Sequence, residues 1–436
     1  MCSPRLFRLP PVPSVLFRRI SRRILLCILL LVSGGLVMVP SEGQAQERPS
    51  AIAEQIRLRI EVGQHNTTAY TVGSEVLFAQ QTLPRFYVAR HFAPAWTHPG
   101  GLHPRADSLL AMLENASREG LHAADYHVDR LQEEWAAARA GSTPDPRRLA
   151  ELDLLLTDAF MLFGSHLLRG RVDPETLDAN WSIERRAADF AAVLERALAG
   201  ASIRRALMEM VPPQPEYAQL RAALAQYRRI QQAGGWPAVP EGPALRVGDT
   251  GPRVERLRDR LQATGERAVH TAATDTTARG FDETLEAAVV EFQTRHGLDA
   301  DGIVGAATLQ ALNVPVEARI RQIRLNMERW RWLPQNLGTR HLLVNIAGFE
   351  LRLIEQGEDV MRMRVVTGQP YRQTPVFSGD ISYLVLNPYW NVPHSIAVRD
   401  KLPLIKQDPG YLAQQKMTLF RGWGADAEAV DPATVD

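Results

Sequence analysis

A chain of 436 residues is long enough for about two to four domains, and its apolar fraction of 45% supports sizeable cores. A formal net charge of +1 excludes a bulk electrostatic binder of nucleic acid.

The first 45 residues read as a targeting segment. Arg5, Arg8, Arg18, Arg19, Arg22 and Arg23 precede an apolar run from Ile24 to Val39, and Gly43-Gln-Ala45 offers small residues for cleavage. The run is longer than a usual signal core and short for a spanning helix, so a cleaved signal peptide and an uncleaved anchor both remain open. In either case the remainder is expected outside the cytoplasm. Cys27 follows the bulky Leu26 at the start of the run, which argues against lipidation. Cys2 and Cys27 are the chain's two cysteines. The exported part therefore offers no disulfide, thiolate ligand or thiol nucleophile.

Gln46–Gly73 is polar and mixed and is expected to be a weakly ordered lead-in. Residues 75–235 read as helical. Leu109, Leu110, Met112, Leu113 and Ala116 fall at helical spacing, as do Leu152, Leu155, Leu156, Ala159, Phe160 and Phe163. Asp173-Pro174 starts a turn or helix, and Ala187–Ala199 and Tyr217–Gln232 are further amphipathic helices. Eleven histidines raise the question of zinc. No His-Glu-x-x-His or His-x-His occurs, so neither a metal nor another cofactor is expected.

Residues 245–313 form a separate small module behind a stiff Pro237, Pro240, Pro243 linker. A first helix carries Val254, Leu257 and Leu261, with Asp249 or Thr250 as its expected cap. Glu266–Gly280 is a polar loop. Asp282 caps a second helix carrying Leu285, Ala288, Val289 and Phe292, and Gly305–Leu312 is a short third helix. Asp299-x-Asp301-Gly302 lacks the ligands of a calcium loop and reads as a capped turn.

A linker helix over 317–334 places Ile320, Ile323, Met327 and Trp330 on one face. Arg319, Arg321, Arg324, Arg329 and Arg331 are expected on a solvated one, with contact to wall carboxylates or to the next domain as the alternative. Four strands follow at His341–Ala347, Phe349–Glu355, Val360–Val366 and Ile381–Leu386. Between and after them lie Val366–Pro375 and Asn387–Ile396, rich in proline and glycine, then short helices near Asp400 and Asp408.

Several stretches resemble one family. Arg85-Phe-Tyr-Val-Ala-Arg-His-Phe-Ala-Pro-Ala-Trp96, Gly120-Leu-His-Ala-Ala-Asp-Tyr-His127, Gly170-Arg-Val-Asp-Pro174, Gly234-Gly-Trp-Pro237 and Asn326–Pro334 resemble the scaffold and linker of large murein L,D-transpeptidases. Leu245, Gly248, Gly251, Phe281, Phe292, Gln293, Gly297, Asp301, Gly302, Gly305 and Thr308 match the three-helix peptidoglycan-binding domain type. Residues 338–436 resemble the first part of the YkuD-type catalytic domain with its lid insertion. After these strands no His-Gly or Ser-His-Gly-Cys motif of that family appears before Asp436, and the resemblance is therefore to a C-terminally incomplete member.

The resemblance implies a multidomain α+β protein. Its parts are a mainly helical scaffold, the small three-helix module and an incomplete β-rich catalytic domain. It also implies a periplasmic L,D-transpeptidase that forms 3→3 cross-links through a cysteine acyl-enzyme, with stem peptides as partners. No catalytic residue carries over. Tyr371, Arg372, Thr374, Tyr389, Trp390 and Asn391 fall in the family's substrate region, with Trp390 and Tyr389 expected against the aliphatic part of a stem and Arg372 on its carboxylate. The alternatives are a non-catalytic wall-binding protein and a scaffold for other wall-synthesis enzymes. No nucleic-acid partner is expected, and membrane contact only through an uncleaved N-terminus.

Overall fold

The computed structural model describes residues 50–431, except 66–69, 140–144, 178–180, 201, 266–279, 370, 409 and 423–426. The targeting segment, both cysteines and nearly all of the polar loop before Gly280 lie outside the described residues. Among the described residues no helix is long and apolar enough to cross a membrane.

The lead-in expectation is overturned. Ala51–His65 is a helix, α1, with Ile52, Ile56 and Ile60 at most 2% exposed. Their spacing of four residues puts them on one face, and burying each contributes about 1.5–3 kcal/mol. The scaffold continues through the hairpin β1 (Thr71–Val72) and β2 (Glu75–Val76), α2 (Thr82–Ala89), and the hairpin β3 (Thr97–His98) and β4 (Gly101–Leu102). Helices α3 (Pro104–Glu114), α4 (Val128–Arg139) and α5 (Pro146–Arg169) follow, then α6 (Phe190–Leu198), α7 (Ile203–Met208) and α8 (Pro215–Gln232).

Helix α5 is the axis of this core. It is buried on nearly every side from Leu149 to Leu168, as expected of a helix surrounded by others. Two of its buried residues are carboxylates, and each organises a loop. Asp153 accepts the backbone N–H groups of Ala95, Trp96 and Thr97 at 2.8–2.9 Å and the Tyr87 hydroxyl at 2.6 Å. Thr157, one turn on, bonds the same hydroxyl and accepts the Trp96 indole N–H at 2.9 Å. The Arg85–Trp96 motif is thus a packing device: its aromatics and its turn close on one carboxylate.

Asp158 accepts the N–H groups of Phe78 and Ala79, and its other oxygen lies 2.9 Å from His127 Nε2. Glu75 lies 2.8 Å from His127 Nδ1. A neutral imidazole can donate from only one nitrogen, so this arrangement is fully satisfied only when His127 is protonated. Burial opposes protonation, but the hydrogen bonds and charges of Asp158 and Glu75 outweigh it and raise the His127 pKa.

The small module has its own core of Val254, Leu257, Leu261, Phe281, Leu285, Val289, Phe292 and Leu312. Its helices are α9 (Pro252–Thr264), α10 (Glu283–Arg295) and α11 (Ala306–Leu312). Asp282 caps α10 through Leu285 N–H at 2.8 Å. Neither expected cap of α9 forms. Gly251 holds that position, and Asp249 accepts the Arg246 N–H instead, closing the preceding turn. Gln293, 1% exposed, donates to Asp301, Ile303 O and Thr308 and accepts from Gly302 N–H. Asp301 also accepts the Ile303 N–H at 2.9 Å, the capped turn expected from sequence.

Helix α12 (Val316–Arg331) returns to the scaffold and packs along α8. Ile320 and Met327 are buried. The solvated basic face holds for Arg321 and Arg329 only. Arg331 is 1% exposed and donates to the Glu119 carbonyl, to the Tyr217 hydroxyl at 2.7 Å and to Glu328 at 3.1 Å. The Glu119 carboxylate is in turn met by Tyr217 and Arg221 at 3.0 Å. Glu328 accepts the backbone N–H groups of Arg171 and Val172 at 2.6 and 3.0 Å. Gly170 makes this approach possible. It has φ 79°, and a Cβ there would lie 2.9 Å from both Glu328 Cδ and the Trp332 indole nitrogen.

A three-stranded antiparallel sheet follows, with β5 (Arg340–Asn345), β6 (Glu350–Glu355) and β7 (Glu358–Arg364) in sequence order. The fourth expected strand, Ile381–Leu386, does not form. That stretch has no regular structure and pairs with no strand among the described residues, and Leu384 is 84% exposed. Alternation alone does not make a strand, because its backbone groups require a neighbour.

Two outcomes follow. Gly170→Ala should lower stability by about 2–4 kcal/mol in denaturant melts, because it combines a conformation open essentially only to glycine with displacement of Glu328. Gly73→Ala, at φ 59° with nothing within 4 Å, should cost only about 1 kcal/mol. For His127, whose folded pKa is raised, the stabilisation is complete below the ordinary histidine value of about 6.5 and is lost as pH rises through the folded value. Wild type should thus lose stability across that window in pH-dependent melts, and His127→Gln should not.

Candidate functional site

The sheet has two different faces. Pairing sets Leu342 beside Leu353 and Met361, and Val344 beside Leu351 and Met363. This face is apolar and open, with Val344 46% and Met363 45% exposed. The opposite face sets Leu343 beside Arg352 and Arg362, and Asn345 beside Glu350 and Arg364. Leu343 and Leu351 thus lie on opposite faces. A register shift between Leu353 and Ile354 sharpens the local bend.

The mixed face is turned to the scaffold. Arg352 is paired with Glu216 at the start of α8. With Gln219, Leu220, Ala223, Asn326, Trp330, Leu343, Asn345 and Glu350 they line a cleft of about 480 Å³. Three further contacts fix the sheet's entry and exit. Gln214 donates to the carbonyls of Pro334 and Gln335 at 3.2 and 3.3 Å. Trp181 meets Trp332 edge-on at 5.4 Å. Ser182 N–H donates to Val376 O at 3.2 Å, tying the segment after β7 back to the scaffold.

The six expected substrate residues lie on that segment and on the one that follows. They line the surface and not the cleft. Tyr371, Tyr389 and Trp390 are 77%, 95% and 62% exposed. Thr374 Oγ1 accepts the Gly368 N–H at 2.7 Å and closes its own loop. Asn391 is exposed. Arg372 is already engaged: both terminal nitrogens donate to Asp400, at 2.6 and 2.7 Å. Each charge stabilises the other, raising the arginine pKa and lowering that of the carboxyl.

Asp400 belongs to the helical insertion. The chain is helical at His394–Ile396, makes a π-helical turn over Ala397–Lys401, and continues as Leu402–Gln407 and Tyr411–Gln414. Lys401 donates to the Tyr411 hydroxyl at 3.0 Å and sits 5.8 Å from the Trp390 ring centre. The insertion is therefore joined to both candidate loops, through Arg372 and through Trp390. Sequence reasoning singled out Arg372 and Trp390 but not their partners Asp400 and Lys401, nor the cleft residues Glu216 and Arg352. Only the spatial pairing reveals them. Among the described residues no group of three or more His, Cys, Asp or Glu is placed to hold a metal ion.

Three family descriptions match the chain in order. "Scaffold domain" matches residues 81–224, "Putative peptidoglycan binding domain" residues 250–312, and "L,D-transpeptidase catalytic domain" residues 339–432. These matches support the resemblance to large, scaffold-bearing L,D-transpeptidases. A protein named "Putative L,D-transpeptidase" from Haemophilus influenzae is 32% identical over 121 residues, which is 28% of this chain. The matched stretch spans 24% of that relative's length.

If Asp400 anchors the insertion, Asp400→Asn should expose residues near 394–416 to faster limited proteolysis, while melts of the scaffold stay unchanged. Equal cleavage rates in mutant and wild type would show that the pair is incidental.

Proposed function

We propose that the chain acts in peptidoglycan cross-linking in the cell envelope, as part of an L,D-transpeptidase. The observation that carries this reading is the order of three matched domains, with the catalytic sheet held on the scaffold by Glu216–Arg352 and Ser182–Val376. The exported residues contain no cysteine, so the nucleophile of the reaction would come from outside them.

In this chemistry a cysteine thiolate attacks the amide carbonyl after the third residue of a tetrapeptide stem. The terminal D-alanine leaves with a proton supplied by a histidine, and a thioester remains. The side-chain amine of a second stem then attacks the thioester, forming the 3→3 amide and returning the thiolate. Donors to the developing oxyanion lower both barriers. The described residues would contribute positioning. Exposed Tyr389 and Trp390 suit the aliphatic part of a stem. A stem carboxylate would reach Arg372 by taking the place of Asp400. The insertion that carries Asp400 would then cover the bound stem and limit hydrolysis.

The test uses the protein isolated from its own cells. An intact mass above 48.6 kDa, with a stoichiometric covalent adduct after carbapenem treatment, is expected. A mass at or below that value with no adduct would overturn the transpeptidase reading. A non-catalytic wall-binding protein would then remain, detectable by co-sedimentation with purified sacculi.

A further inference from the structure

The turn Ser117–Asp125 is gripped by arginines from three other segments. Arg228 of α8 donates to Ser117 O. Arg324 of α12 donates to Gly120 O at 2.9 Å and touches His122 Nε2. Arg171, on the turn after α5, lies 3.2 Å from Asp125. These bonds use some guanidinium nitrogens and fix the groups in place. Each guanidinium carries further N–H donors for which no protein partner is found among the described residues.

The charge balance at this turn is unusual. Among the described residues Asp125 is the carboxylate that meets this group, through its ion pair with Arg171 and its charge at Arg324. The neighbouring carboxylates are already engaged: Glu119 with Tyr217 and Arg221, and Glu328 with Arg331 and the backbone of Arg171 and Val172. The cations feel one another. Burial and the charge of Arg324 lower the Arg228 pKa, and burial and the charge of Arg171 lower that of Arg324. Burial and all three arginines lower the pKa of His122. Like charges held together by a rigid frame cost stability unless something compensates them.

We propose that Arg171, Arg228 and Arg324 form a binding site for a phosphate group on the scaffold. A dianion balances the excess positive charge, and planar guanidinium forks match the oxygens of a tetrahedral phosphate. The site is separate from the candidate substrate loops at 371–391. It does not rest on the transpeptidase reading.

The probe is inorganic phosphate added to the full chain at constant ionic strength, with chloride and acetate as controls. Phosphate should raise the melting midpoint by about 2–4 °C at concentrations well above its dissociation constant and shift the His122 ring resonance. Acetate and chloride should do neither. Arg228→Gln and Arg171→Gln should abolish the phosphate effect, read as the shift of each variant's midpoint against its own phosphate-free melt. Arg171→Gln removes a side chain that makes no bond to the turn's backbone, so it tests the site even if Arg228→Gln misfolds. An equal response to phosphate and chloride, or a full phosphate response in Arg171→Gln, would overturn the proposal. Vesicles containing phosphatidylglycerol form a second arm. Vesicle binding lost in Arg171→Gln would assign the site to lipid-borne phosphate, and a response to inorganic phosphate alone would assign it to a soluble phosphorylated ligand.

Discussion

The structure depends on one buried junction, where Arg331 enters the scaffold between Glu119, Tyr217 and Glu328. A guanidinium at 1% exposure is costly unless its charge and its donors are met. Here the Glu328 carboxylate meets the charge, and a carbonyl and a hydroxyl take further bonds, while Nε is left without a partner among the described residues. Burial raises the Tyr217 pKa beyond the usual range, so the phenol stays protonated and can donate to Glu119. The network is one-directional: each group needs the next. Removing one partner would leave a buried charge, a larger loss than the pair itself contributes.

This junction decides where the β domain sits. Arg331 ends α12, and nine residues later β5 begins at Arg340. Whatever fixes the end of α12 fixes the start of the sheet. Glu328 extends the network to the turn after α5, and Gln214 and Glu216 at the start of α8 hold the linker and β6. Helix α8 is thus shared within its first turn: Glu216 meets the sheet, and the next residue, Tyr217, meets Arg331. A displacement of α8 would be felt by both.

Much of the fold was legible because it is periodic. Helices α3, α5 and α10 follow from their apolar spacing, and the three-helix module from its glycines and its Gln293-to-Thr308 pattern. Helix α1 is equally legible through Ile52, Ile56 and Ile60, whose spacing of four marks one buried face in a segment that is polar as a whole. Ile381–Leu386 is the opposite case. Its composition suits a strand, but a strand is defined by a partner, and none pairs with it among the described residues. The arginines of α12 show the same limit. Spacing separates one helix face from another but cannot tell that Arg331 will meet Glu119, 212 positions earlier. For the candidate site, the loops were legible from their proline, glycine and aromatic content. The state of Arg372 was not, because Asp400 lies 28 residues on and inside a different element.

These pairings bear on what the scaffold contributes. Joining two peptides requires both to be held near the reacting atoms, and misplacement by an ångström costs rate steeply. A three-stranded sheet with one open apolar face has little rigidity of its own. Here its mixed face is tied to α8 through Arg352, its entry to Gln214 and Trp181, and its exit to Ser182. The loops that carry Arg372 and Trp390 start from this braced exit and are joined again by the insertion through Asp400 and Lys401. The ties to α8, half-buried at Arg352 and Glu216, are the stiff part of the frame. The exposed Arg372–Asp400 pair is the weak part, since solvent screens it and an incoming carboxylate can compete for it. A frame that is rigid behind the loops and exchangeable at their tips would suit the proposed function, in which the site would admit one charged, flexible peptide after another.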